Sequence, residues 1–125
     1  MVILDTNIII DHLRRPFEKS ELRQIEAKIP IKDLAISIIS VQELYQGKST
    51  RDEVHKRTLS ETINPLNTLL YTDEVARIAG ELARDLDRKI EFPDAAIAAT
   101  AIVNKAKLLT LNKKDFQGIK GLKLI

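Results

Sequence analysis

Short runs of apolar residues alternate along this chain with longer stretches of helical periodicity, and that alternation restricts the fold more than any other feature. Val2-Ile3-Leu4 and Leu34-Ala35-Ile36-Ser37-Ile38 have almost no polar interruption, the pattern of strands buried on both faces. After the first run, Asp5, Thr6 or Asn7 caps a helix carrying Ile8, Ile9, Ile10 and Leu13, which Pro16 ends. A second helical pattern over about 18–28 places Leu22, Ile25 and Ile29 on one side and closes at Pro30. Ser40 opens a further helix, with Glu43 three residues on and Gly47 as its stop. The polar segment 51–62 reads as helix and Thr68-Leu69-Leu70-Tyr71 as a short strand. Thr72 then caps the clearest amphipathic helix. Val75, Ile78, Ala79, Leu82, Ala83 and Leu86 form its apolar stripe, and Asp73, Arg77, Arg84, Asp85 and Arg88 take the other face. Pro93-Asp94 starts an alanine-rich helix to Val103, suited to close packing on a flat surface, and 107–110 and 122–125 are two last strands. The expected class is α/β, with a central, mostly parallel sheet covered on both faces.

A chain of 125 residues suits one domain, 1–125, and neither an internal repeat nor a linker divides it. With only five aromatic residues, the core must be built from Ile, Leu, Val and Ala. The absence of cysteine removes disulfides, thiolate nucleophiles and cysteine-based metal sites. The opening apolar run is broken at once by Asp5, unlike a signal peptide, and no apolar run approaches a membrane span. A cytoplasmic protein with no membrane partner is expected. The formal charge of +2 conceals an uneven distribution. From Ala95 to Ile125 six lysines face a single acid, Asp115, for a net +5, which leaves −3 on the rest. A basic segment of this kind attracts a phosphate backbone or forms a solvated lysine surface.

The acids fall where such a sheet would bring them together. Ligands of open α/β sheets bind outside the carboxyl ends of the strands. Asp5 directly follows the first strand, Glu43 follows the second, Asp94 begins the alanine-rich helix and Asp115 lies in the turn after Thr110 and Asn112. Each has a structural alternative: Asp5 as a helix cap, Glu43 as the partner of Ser40 in a capping box, Asp94 as complement to a helix dipole, Asp115 as an Asx-turn residue. Together they form a set of carboxylates whose repulsion a cation relieves. Oxygen ligands without cysteine or paired histidine favour Mg²⁺ or Mn²⁺, which can activate a water for attack on phosphorus. The phosphate-cradling glycine loops G-x-x-x-x-G-K-[ST] and G-x-G-x-x-G are absent. His12 and His55 read as surface histidines, Asp11, Asp73, Asp85 and Asp87 as solvated helix-face acids, and Tyr45 and Tyr71 as packing residues rather than base-stacking platforms.

Four blocks resemble the PIN-domain family, and more narrowly its VapC-like toxins. They are Val2-Ile3-Leu4-Asp5-Thr6-Asn7, Ile38-Ile39-Ser40-Val41-Gln42-Glu43-Leu44, Phe92-Pro93-Asp94 through Ile97-Ala98-Ala99-Thr100-Ala101, and Leu109-Thr110-Leu111-Asn112-Lys113-Lys114-Asp115-Phe116. They stand in the family's order across nearly the whole chain. The resemblance implies a three-layer α/β/α fold and Mg²⁺- or Mn²⁺-dependent cleavage of RNA, with Asp5, Glu43 and Asp94 as the core metal-binding acids. The family's fourth position varies; here Asp115 is the available acid, with Asn112 beside it. Thr6, Asn7, Ser40 and Thr110 match supporting polar positions, and Lys113 and Lys114 are candidates for contact with RNA phosphates. The family further implies homodimers and an antitoxin protein whose C-terminal tail covers the site. The leading expectation is therefore the endoribonuclease toxin of a type II toxin–antitoxin pair. The alternatives are a catalytically inactive PIN-like module that binds RNA or protein, and a PIN nuclease of RNA processing.

Overall fold

The computed structural model describes residues 1–15 and 17–125. Its sheet contains β1 (Val2–Leu4), β2 (Leu34–Ser37), β3 (Asn67–Leu69), β4 (Lys107–Leu109) and β5 (Lys123–Leu124), in the order β3-β2-β1-β4-β5. Every neighbouring pair is parallel. The α-helices among the described residues are α1 (Thr6–Arg14), α2 (Glu21–Glu26), α3 (Ile38–Gln46), α4 (Glu53–Ile63), α5 (Asp73–Asp85) and α6 (Phe92–Val103).

Strand periodicity explains why the central strands are apolar throughout. Val2 and Leu4 of β1, with Leu34 and Ile36 of β2, pack into one core with Ile8, Ile9, Leu22, Leu44 and Leu59 from α1 to α4. The intervening Ile3 and Ala35 point the other way, into a core with Ile97, Ala98 and Ala101 of α6. The chain order agrees with the right-handed crossover rule. Steps from β1 to β2 to β3 place α1–α4 on one face, and the long return from β3 to β4 places α5 and α6 on the other. The sheet is thus doubly wound, with its switch point where β1 lies between β2 and β4.

Local capping shifts several boundaries from those expected. Ser37, not Ser40, caps α3, its hydroxyl accepting from the Ile39 amide at 3.0 Å, so β2 ends one residue early. Ser20 caps α2, which therefore starts at Glu21 after a 3-10 turn at Phe17–Lys19. Strand β3 lies one residue earlier than its apolar run suggests and pairs only with β2, at the sheet edge. Helix α5 ends at Asp85, with Leu86 as its C-cap, so Arg88 lies beyond it. Pro16, expected to end α1, lies outside the described residues.

Two polar residues of α1 are not on the surface. His12 is 5% exposed, with Nδ1 2.7 Å from the Ser20 hydroxyl. Burial first, then Arg23, pushes its pKa down. The side chain of Asp11 is 8% exposed, pairs with Arg15 at 2.6 Å and accepts from the Glu21 amide at 3.0 Å. His12 follows Ile8 by four residues and Ile9 by three, which places it on the buried stripe. These contacts fasten α2 onto α1.

The alanines of α6 allow its close approach to the sheet; Ala95 through Ala101 are all buried. Ala98 is fully buried in the core with Ile3, Ala35 and Leu108. Ala98→Leu therefore overpacks it and is expected to lower stability by about 1–3 kcal/mol, read as a lower urea midpoint with an unchanged m-value. An unchanged midpoint would mean that α6 has room beneath it.

Candidate active site

Asp5 stands at the junction of β1, α1 and β4. Its backbone amide donates to the Leu109 carbonyl at 2.9 Å, extending the β1–β4 ladder to the sheet's carboxyl edge. It is also the N-cap of α1, as the capping alternative expects. The side chain is 6% exposed. One carboxylate oxygen accepts from the Thr6 amide at 2.8 Å and the other from the Thr110 hydroxyl at 2.7 Å. Burial raises its pKa, Thr110 and Thr6 oppose that rise, and Glu43 and Asp115 add to it.

The other acids arrive from separate elements. Ser40 and Glu43 are the third and sixth residues of α3, so they share one helix face and no capping box forms. Both turn to α1: the Thr6 hydroxyl donates to Glu43 Oε1 at 2.6 Å and lies 2.9 Å from Ser40 Oγ. Asp94 is the third residue of α6, in the turn that Pro93 opens. Its pKa is pushed up to about 6, chiefly by burial, then by Asp5, Asp115, Glu43 and Glu91. Asp115 lies in the 3-10 turn Lys113–Phe116, where the Asn112 side-chain amide donates to its Oδ2 at 2.6 Å. Asp5, Glu43, Asp94 and Asp115, far apart in sequence, thus share one electrostatic neighbourhood.

A frame of neutral groups holds this neighbourhood. The Thr110 hydroxyl, donating to Asp5, accepts from the Asn112 amide at 3.0 Å. Asn7 accepts from the Leu111 amide at 3.2 Å, and its side-chain amide reaches Thr110 at 3.4 Å. Among the described residues, no buried side-chain polar atom lacks a hydrogen-bond partner. Lys113 and Lys114 are exposed in the same turn as Asp115 and line a groove with Thr110, Leu111, Asn112 and Gln117. On the other side, a cleft of about 360 Å³ between α1, α3 and α4 ends at Glu43 and is lined by Ile10, Leu13, Leu44 and Leu59.

Two contributors were not legible beforehand. Arg88 donates to the backbone carbonyls of Asp115 at 3.1 Å and Gln117 at 2.7 Å, fixing the turn that carries Asp115. The helical period had placed it on the solvent face of α5, which ends before it. Glu91 is the N-cap residue of α6 and adds its charge to Asp94; an acid three residues before Asp94 was the only signal.

A doubly wound parallel α/β protein with a group of acids at the switch point of its sheet is the class that this fold and site define. The chain belongs to the PIN domain family, which matches residues 2–122. It is similar to Ribonuclease VapC10 of Mycobacterium tuberculosis, 35% identical over 98% of this chain and 91% of that protein. Ribonuclease VapC1 of Methanocaldococcus jannaschii is 31% identical over 98% of this chain and 85% of its own length. Among solved structures, VapBC2 of Rickettsia felis bound to a promoter DNA fragment superposes with a TM-score of 0.84, at 30% identity over 100% of this chain and 98% of that one. DNA-bound VapBC of Salmonella typhimurium superposes with a TM-score of 0.87, at 26% identity over 99% and 96%.

The raised pKa of Asp94 has a consequence for stability. Because the folded value exceeds the ordinary 3.8, the proton-linked stability is fully present below about pH 4 and is lost as pH rises through about 6. In EDTA at about pH 7.5, Asp94→Asn is expected to be more stable than the wild type by on the order of 1 kcal/mol, discounted for the carboxyl's contact with solvent. The difference should vanish near pH 4; equal melting temperatures across the range would mean that neither burial nor the neighbouring acids raise the pKa of Asp94. A second expectation concerns the turn. Arg88→Ala should speed amide hydrogen exchange over 113–118 by roughly tenfold with little change in global melting.

Proposed function

We propose that this chain is a Mg²⁺- or Mn²⁺-dependent endoribonuclease and the toxin half of a type II toxin–antitoxin pair. The observation that carries the reading is four carboxylates from four separate segments gathered at the switch point: Thr6 bonds both Asp5 and Glu43, Thr110 and Asn112 link Asp5 to Asp115, and Asp94 lies within the field of the other three. The names of the relatives, ribonucleases VapC, support the reaction class.

The donor set suits a hard cation, since it consists of carboxylate oxygens with hydroxyl and amide neighbours. Among the described residues, no three acid, histidine or cysteine side chains already form a group able to hold an ion. Glu43 instead rests on Thr6, Asp115 on Asn112 and Asp5 on Thr110, so that each of these like charges has a neutral donor. Mg²⁺ commonly keeps several waters and takes only one or two carboxylates directly, so this spread arrangement is compatible with it. Asp5, Glu43 and Asp94 would hold the hydrated ion between them, one or two of them directly and the rest through its waters, and Asp115 would flank it with Asn112. When bound, the metal supplies an activated water and stabilises the leaving oxygen of a phosphodiester. Thr110 and Thr6 keep Asp5 oriented, and Thr6 and Ser40 keep α3 against α1 so that Glu43 stays in reach. Lys113 and Lys114 offer charge to the RNA backbone.

The proposal includes a homodimer and an antitoxin partner. The solved relatives titled VapBC, from Rickettsia felis and Salmonella typhimurium among others, support the partner. The largely apolar cleft ending at Glu43, with Leu13 exposed at its side, is a suitable seat for an antitoxin tail that covers the site.

The test is cleavage of a mixed RNA substrate by the purified protein with Mg²⁺, with Mn²⁺ and with excess EDTA. Wild type should cut only with metal. Asp5→Asn or Asp94→Asn should lower the rate by more than about 100-fold, and Thr110→Val by roughly 10- to 100-fold, as loss of an orienting partner does. Full metal-dependent activity in an Asp5→Asn, Asp94→Asn double variant would reject the site. RNA binding without cleavage, unaffected by metal, would favour an inactive binding module instead.

A further inference from the structure

Asp5 caps α1, and Glu43 and Asp94 lie within α3 and α6, whereas Asp115 is carried by the short 3-10 turn Lys113–Phe116. Such turns have poorer hydrogen-bond geometry than an α-helix. In this one the Asp115 amide donates to the Asn112 carbonyl at 3.1 Å and the Gln117 amide to the Lys114 carbonyl at 3.4 Å. Asp115 adds its charge to Asp5 and to Asp94, and the same repulsion presses Asp115 away from them. Phe116, buried in the core with Ile3 and Ile97, seats the turn. Its backbone is gripped from outside by Arg88, which stands between α5 and α6, six residues before Asp94. One guanidinium nitrogen, Nη2, donates to the Asp115 carbonyl at 3.1 Å and to the Gln117 carbonyl at 2.7 Å.

Resting on the metal-dependent ribonuclease reading, we propose that Arg88 is a positioning residue, which keeps the Asp115 carboxylate at the site and so sets the site's affinity for its cation. The Asp115 carbonyl belongs to the rigid peptide plane that leaves this residue, so holding it fixes the backbone from which the carboxylate projects. The carboxylate itself is held from the other side. The Asn112 side-chain amide donates to its Oδ2 at 2.6 Å, the Asn112 backbone amide donates to the Thr110 hydroxyl at 3.0 Å, and that hydroxyl donates to Asp5 at 2.7 Å. Asp115 is thus fixed twice, its backbone by Arg88 and its side chain by a chain of bonds that ends on Asp5. The same arginine stands on the connection into α6, so it ties the segment leading to Asp94 to the turn that carries Asp115. Without it, the turn has less to oppose the repulsion among the acids. An exposed arginine can also bind RNA phosphates, but here the nitrogen nearest the turn is engaged on two carbonyls. Loss of a partner that orients a metal-binding group typically weakens metal binding by about 10- to 100-fold.

The test titrates Mn²⁺ alone by calorimetry into wild type, Arg88→Ala, Asp115→Asn and the double variant, and follows cleavage of the mixed RNA substrate as Mg²⁺ and RNA are varied. Arg88→Ala should weaken Mn²⁺ binding by roughly 10-fold and raise the Mg²⁺ needed for half-maximal cleavage by a similar factor, with KM for RNA little changed. The double variant should bind Mn²⁺ no more weakly than Asp115→Asn alone, because the arginine acts through that acid. Arg88→Lys, whose ammonium can still donate to a carbonyl, should recover part of the loss. Arg88→Met keeps the stem without the donors and gives the same comparison if the alanine variant folds poorly. Unchanged Mn²⁺ affinity in Arg88→Ala while wild type cleaves RNA overturns the positioning role and leaves the nuclease reading standing. Losses that multiply in the double variant also overturn it, since Arg88 then acts apart from Asp115. A raised KM with unchanged Mn²⁺ affinity overturns it in favour of direct contact with RNA. Weakened binding that Asp115→Asn masks, without cleavage by wild type in Mg²⁺ or Mn²⁺, sustains the positioning role and rejects the nuclease reading. Wild type that neither binds Mn²⁺ nor cleaves RNA rejects both.

Discussion

The structure turns on one buried carboxylate. Asp5 ends β1, caps α1 and meets β4, and it is held there by a backbone amide on one oxygen and the Thr110 hydroxyl on the other. Burying a charge is costly unless it is hydrogen-bonded, and burial outweighs those two bonds, so the pKa of Asp5 is raised. Glu43 and Asp115 add to that rise. A set of acids kept in this state costs stability, which a cation bound only by the folded chain would return.

The two faces of the sheet divide the work around Asp5. On one face α1 and α3 are joined by Thr6, Ser40 and Glu43, so the position of the second acid depends on helix packing over the core of Val2, Leu4 and Ile36. On the other face α6 brings Asp94 close only because its buried residues are mostly alanine, which lets its axis lie near the strands. The fourth acid belongs to neither face. Its 3-10 turn follows β4, and Asn7, Asn112 and Arg88 tie that turn to the rest through side-chain and carbonyl hydrogen bonds. Neutral donors therefore do most of the positioning, and the acids are spread upon them.

The same logic explains why the α1–α2 joint is polar inside. His12, Ser20 and Asp11 form contacts that an apolar stripe would not specify, and they fix how α2 folds back over the Val2–Leu4 core. Such buried polar contacts select one arrangement among many that hydrophobic area alone would allow.

What the amino-acid order determined by itself was periodic or local. Apolar runs without alternation at 2–4 and 34–37 specify strands covered on both faces, because successive side chains point to opposite sides. Thr72, Gly47 and Pro93 mark helix ends through groups within a few residues of them. The acids at strand ends followed from that layout. Tertiary structure decided what depends on partners distant in the chain. Whether Ser37 or Ser40 capped α3 was settled when Ser40 turned to Thr6, 34 residues away. His12 and Asp11 looked solvated until α2 covered them. Arg88 became a clamp because α5 stopped before it and left its side chain free to reach a turn 27 residues on. Periodicity reports which way a side chain points, and only the packed fold supplies what it meets there.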